Sequence, residues 1–98
     1  MQLILTNYGN LFMDKSQSYS VYIVHCADGT YYTGISNDVP ARIHAHNLGK
    51  GAKYTKMRRP VQLVYQELIG DRSAASKKEW EIKHYTRAQK IKLFHLKS

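Results

Sequence analysis

Ser20-Val21-Tyr22-Ile23-Val24-His25-Cys26-Ala27-Asp28-Gly29-Thr30-Tyr31-Tyr32-Thr33-Gly34-Ile35 is the stretch that decides the fold. Two runs rich in β-branched and aromatic residues flank Asp28-Gly29, which reads as a β-hairpin. If Ala27-Asp28-Gly29 is a three-residue loop with Gly29 in the left-handed region, Ser20, Tyr22, Val24 and Cys26 share a face with Thr30, Tyr32 and Gly34. A two-residue turn at Asp28-Gly29 would shift the pairing by one and send Tyr22 and Tyr32 to opposite faces.

Outward from the hairpin, Asn37 or Asp38 caps a helix with Pro40 in its first turn, ending near Leu48 before Gly49. Ala41, Ala45 and Leu48 form its apolar stripe, while Arg42 and His46, four apart, lie together on another face. Residues 49–60 hold two Gly, one Pro and five Lys or Arg and read as a basic loop. Val61, Leu63 and Tyr65 alternate with Gln62, Val64 and Gln66 in a third strand reaching about Ile69. Asp71 caps a helix from about Arg72 to Tyr85 with Ala74, Ala75, Lys78, Ile82 and Tyr85 on one side and Glu79 at its edge. Thr86 and Gln89 make a capping box for a last helix ending near Leu96, with Ala88, Ile91 and Phe94 or His95 inward. The order β-β-α-β-α-α predicts an α+β domain with a small three-stranded, mainly antiparallel sheet flanked by about three helices. Residues 1–18 read as an N-terminal extension, either disordered or an added edge strand, ahead of one domain over 19–96.

At 98 residues the chain fills one modest core, for which a single layer of helices on the sheet is expected. Charge is uneven: residues 1–41 carry one basic and three acidic side chains, residues 42–98 carry 14 and 4. Positive charge concentrated after the hairpin favours a polyanion partner. The one cysteine, Cys26, excludes an internal disulfide and a multi-cysteine zinc site, and is read as a small buried hydrophobe. With no long apolar run and no secretory start, the expectation is a soluble, cytoplasmic protein with no membrane partner.

Ser20-Val21-Tyr22, then Tyr32-Thr33-Gly34, then Arg42 on the first helix and Glu79 on a later one resemble the signature of the GIY-YIG endonuclease domain. Asn47-Leu48-Gly49-Lys50-Gly51-Ala52-Lys53-Tyr54-Thr55-Lys56 adds to the likeness to its small stand-alone members. Ser20 stands where the family has Gly, and Thr33 where it has Ile. The resemblance implies a divalent-metal-dependent endonuclease that hydrolyses phosphodiester bonds in DNA. Cleavage is expected to be structure-selective or of low sequence specificity, with a place in DNA repair or recombination; RNA is not excluded as substrate.

The resemblance makes Tyr22 the candidate base and gives Tyr32 the orienting of water or phosphate. An unperturbed phenol, with a pKa near 10, needs nearby positive charge or a metal-bound water to act near neutrality. Arg42 is the phosphate-binding candidate, offering bidentate donors that stay charged. His46 falls where the family has Tyr or His and serves proton transfer or a phosphate oxygen. Glu79 is the metal-ligand candidate, for Mg2+ or Mn2+. Lys50, Lys53, Lys56, Arg58 and Arg59, with Tyr54 among them, form a nucleic-acid-binding loop in which Tyr54 could stack on a splayed base. The alternative is a catalytically weak nucleic-acid-binding module of the same fold that relies on a protein partner for targeting or activity.

Overall fold

The structure, a computed structural model, describes residues 18–95, so the reading of the N-terminal extension lies outside the described residues. The elements are β1 (Tyr19–His25), β2 (Tyr31–Ser36), α1 (Val39–Asn47), α2 (Lys53–Lys56), β3 (Gln62–Gly70), α3 (Arg72–Lys83) and α4 (Arg87–His95). The sheet runs β2-β1-β3, antiparallel throughout, and the basic loop contributes the one-turn α2.

The hairpin takes the three-residue loop. Val24 pairs with Tyr32 and Tyr22 with Gly34. Cys26 N donates to Thr30 O at 2.8 Å, and Gly29 sits at φ +87°. Only a residue without Cβ enters that region cheaply. Asp28 fastens the turn by accepting from Thr30 Oγ1 at 2.6 Å and from Thr30 N at 3.1 Å. Those bonds first, then Arg58, hold its carboxyl below the usual range. Tyr22 and Tyr32 therefore share a face.

Five consecutive residues of β1, Ser20 to Val24, are buried, as expected of a strand covered on both sides. Tyr22, Val24 and Cys26 pack with Val39 and Val61 and against Ile43 of α1; Val21 and Ile23 pack with Tyr65 and Ile82 and against Leu93 and Phe94. Helices thus lie on both faces, and the single helix layer expected from chain length is corrected. Central β1 supplies apolar side chains to two small cores, each fully buried aliphatic side chain contributing about 1.5–3 kcal/mol.

The caps follow the sequence. Asp38 accepts from Ala41 N at 3.2 Å, Asp71 from Ala74 N at 2.8 Å, and Thr86 and Gln89 close a reciprocal box at 2.8 and 3.1 Å. Two apolar stripes are corrected. In α1 the inward residues are Val39, Ile43 and His46, while Ala41 and Leu48 are exposed. In α4 Leu93 and Phe94 pack inward and Ala88 is exposed. The alternation of β3 also breaks, because a register shift sets Leu63 opposite Val24 but Tyr65 opposite Ile23. Leu63 turns outward and Val64 packs inward. Cys26 is buried, and burial pushes its thiol pKa up. Among the described residues no helix is long and apolar enough to cross a membrane.

Candidate active site

Where β1 and β2 meet α1, Tyr22 lies flat across Gly34. An added Cβ at Gly34 would stand 2.5 Å from the Tyr22 hydroxyl and 2.7 Å from its Cζ, so the glycine makes room for a phenol. The Tyr22 hydroxyl meets His46 Nε2 at 2.7 Å, and His46 Nδ1 meets Thr55 Oγ1 at 2.7 Å. Thr55 Oγ1 donates its proton to the Ala52 carbonyl at 3.2 Å. With that proton committed, Nδ1–H must donate to Thr55, leaving the Nε2 lone pair to receive the Tyr22 proton. Tyr22 is 2 % exposed, His46 1 % and Thr55 0 %, so the chain of three is sealed from bulk water. Gly51 lets the loop close over the ring, since a Cβ there would collide with His46 Nδ1.

Burial, then the Tyr32 phenol beside it, raises the Tyr22 pKa far above its ordinary value, against the pull of Arg42 and with a further push from Glu79. Burial, then Arg42, lowers that of His46 below 6.5, so the imidazole is neutral near neutrality. Burial thus favours the neutral phenol of Tyr22 in the free protein.

Tyr32 packs edge-on to His46, with centroids 5.3 Å apart, and stacks on Tyr54 at 5.8 Å and 22°. Arg42 lies on the exposed side of α1, its Nη1 donating to Gly51 O at 3.5 Å. Glu79, on α3 beyond the sheet, pairs with Lys83 Nζ at 3.1 Å, and Lys83 Nζ stands 5.8 Å from the Tyr32 ring centroid. The structure thus gathers Tyr22, Tyr32 and His46 into contact and sets Arg42 and Glu79 close enough for their charges to act on Tyr22.

The basic loop divides. Lys50, Lys53 and Lys56 are exposed and take no part in an ion pair among the described residues. Arg58 instead bridges Asp28 at 3.0 Å, donates to Tyr54 O at 2.7 Å and lies 3.9 Å from the Tyr54 centroid. Arg59 donates to Lys56 O at 2.7 Å and covers Gly49. Its two arginines are fastenings of the loop, and the Tyr54 ring is already engaged by Tyr32 and Arg58. Sequence reasoning gave no role to Thr55 or Gly51, which it quoted only within the family-like stretch, whereas the four-residue spacing of Glu79 and Lys83 marks their ion pair. It also missed Asn47, whose amide exchanges two bonds with the Val61 backbone, at 2.7 and 3.1 Å, and ties α1 to the start of β3.

No group of three His, Cys, Asp or Glu side chains able to hold a metal occurs among the described residues. A lone, partly open carboxylate such as Glu79 fits magnesium or manganese, which keep water and take phosphate oxygens for their remaining positions.

The family model described as the GIY-YIG catalytic domain matches residues 18–92. A UPF0213 protein of Staphylococcus aureus is 59% identical over 76 residues, which cover 78% of this chain and 93% of that protein. The solution NMR structure of a UPF0213 protein from Bacillus halodurans has a TM-score of 0.53 at 44% identity, covering 82% of this chain and 85% of its own. That of a protein from E. faecalis reaches 0.56 at 38% identity, covering 86% and 93%. With the match running through both tyrosine triplets, Arg42 and Glu79, the chain belongs to the GIY-YIG catalytic domain family.

Proposed function

We propose that the protein is a divalent-metal-dependent endonuclease that hydrolyses phosphodiester bonds in DNA, selecting by structure more than by sequence and serving repair or recombination. The observation that carries this reading is the buried Tyr22–His46–Thr55 chain, at 2.7 Å on either side of the imidazole. A binding module has no use for an oriented proton acceptor behind a phenol; a hydrolase does.

The Tyr22 hydroxyl gives its proton to His46 Nε2 and, once substrate binding opens the 2 %-exposed ring to one water, keeps its own lone pairs for that water's proton. As water loses a proton to Tyr22, the Tyr22 proton passes to His46, so a high phenol pKa is no obstacle to a concerted shift. The imidazolium that results is stabilised by the Thr55 hydroxyl at Nδ1 and by the incoming phosphate charge. Tyr32, half-buried beside His46, orients water or a phosphate oxygen, and Arg42 offers its guanidinium to the phosphoryl oxygens. Glu79 would hold the magnesium or manganese ion. That ion supplies positive charge to the phosphate and the leaving oxygen. Lys50, Lys53 and Lys56 give backbone affinity, and among the described residues no groove-reading element adds sequence preference.

The test is a cleavage panel of single-stranded, duplex, flapped and branched DNA in magnesium or manganese, with Glu79→Gln alongside. Cutting by the wild-type protein that collapses in Glu79→Gln while DNA binding persists in EDTA is the expected result. No cutting of any substrate, or undiminished cutting by Glu79→Gln, refutes the metal-dependent reading. The binding-module alternative draws support from the 2 % exposure of Tyr22, and DNA binding without cutting is its signature.

A further inference from the structure

Lys83 has two partners that belong to different elements. Its ammonium lies 3.1 Å from Glu79 Oε2 on its own helix and 5.8 Å from the centroid of Tyr32 on β2. A solvated pair at four-residue helical spacing accounts for the first contact. It does not account for the second, which places the charge between the carboxylate and Tyr32. The side chain is 47% exposed against 23% for Glu79, so the lysine is the partner with room to move. Lys90 stands near enough for the Lys83 charge, after burial, to lower its pKa, so a second ammonium disfavours crowding at this spot.

We propose that Lys83 is a movable cation: it neutralises Glu79 in the free protein and passes to a substrate phosphate when a divalent ion takes the carboxylate. This rests on the reading of Glu79 as the metal ligand. The physical reason is competition, since an ammonium and a divalent ion cannot both hold one carboxylate at contact distance without repelling each other. Lys83 leaves as the ion arrives, and the nearest negative charge is then the phosphate brought by the nucleic acid. In the free protein the pair keeps a lone carboxylate from presenting negative charge to DNA.

The exchange makes two linked expectations for Lys83→Met, which keeps helix propensity and most of the side-chain length. First, Mn2+ binding to the free protein, followed by electron paramagnetic resonance, tightens by about two- to fivefold, the strength of an exposed ion pair. Second, the slope of log affinity against log salt for a short DNA duplex, followed by fluorescence anisotropy, falls by about 0.9 in calcium and stays unchanged in EDTA. Lys83→Arg should restore the calcium slope, which a merely structural role would not require. Unchanged Mn2+ affinity, or a slope that falls equally in EDTA and calcium, overturns the exchange while leaving Glu79 as ligand. Glu79→Gln that binds Mn2+ like the wild type refutes the ligand role itself, and the exchange with it.

Discussion

Gly34→Ala puts the packing of the site to a direct test. Gly34 is not among the glycines with positive φ, so alanine meets no backbone penalty there. The whole cost comes from a methyl placed 2.5 Å from the Tyr22 hydroxyl, 2.7 Å from Cζ and 3.0 Å from Cε2. Tyr22 is 2 % exposed and held to His46 at 2.7 Å, so the ring can give way only by overpacking the core and losing that bond. Overpacking costs about 1–3 kcal/mol and a buried hydrogen bond about 1 more. The sum, about 3 kcal/mol, corresponds in a domain of this size to a fall in Tm of roughly 12–24 °C. Thermal and urea unfolding measure it, with the same substitution made in a Tyr22→Leu background where the ring end is gone. There alanine should be neutral or slightly stabilising, because it restricts the unfolded chain. Equal costs in the two backgrounds would refute the claim that Gly34 is glycine for the sake of Tyr22.

pH and salt give two further checks. His46 must be neutral to accept from Tyr22, so kcat/KM should fall with a one-proton slope as pH drops through a value below 6.5, and be flat just above it. Stability moves the same way: the unfolded histidine takes its proton near 6.5 while the buried one, facing Tyr22, Tyr32, Arg42 and Thr55, resists, so stability declines from about pH 6.5 down to the folded value. Unfolding and rates that do not change between pH 7 and pH 5 would contradict the buried neutral imidazole. In the loop, Lys50→Ser, Lys53→Ser and Lys56→Ser together should lower the salt slope of DNA binding by about 2–3 if each contacts a phosphate. Arg58→Ser should instead leave the slope nearly unchanged and destabilise the hairpin turn that it ties through Asp28.

The hairpin and the caps were legible because their signals are local. Asp28-Gly29 between alternating runs, Asp38 before Pro40, Asp71 before Ala74 and Thr86 before Gln89 are each short-range patterns with one geometric solution. Register stayed open because Gly29 takes positive φ in either turn, and the pairing of Val24 with Tyr32 settles it. The inner face of α1 was not legible, since Ala41–Ala45–Leu48 and Val39–Ile43–His46 have the same period and His46 was counted as polar. Its burial depends on Tyr22 and Thr55, residues 24 before it and 9 after it in the chain. Nor does alternation in β3 reveal a bulge. Thr33 shows the remaining limit: it fills an apolar position, 2 % exposed, and its hydroxyl finds no hydrogen-bond partner among the described residues. Nothing in the sequence marks that cost, which a buried unpaired hydroxyl sets at about 1–3 kcal/mol.

The same geometry decides which substitutions can speak about chemistry. Tyr22 and His46 are among the largest fully buried side chains, and Tyr22 belongs to the core that joins β1 to α1 and Val61. Removing either opens a cavity and orphans a buried polar partner, so lost cleavage mixes unfolding with chemistry. Arg42, Glu79 and Lys83 lie on the other side of that division: each is at least partly exposed, and no buried partner depends on it. Their loss is expected to leave the fold intact and to report on the charges they bring to the site. The residues proposed to react are therefore split between the buried Tyr22–His46–Thr55 chain, part of the hydrophobic core, and a charged rim that is at least partly exposed. A site built this way gains a fixed imidazole tautomer from its core, and leaves adaptation to substrate to the rim.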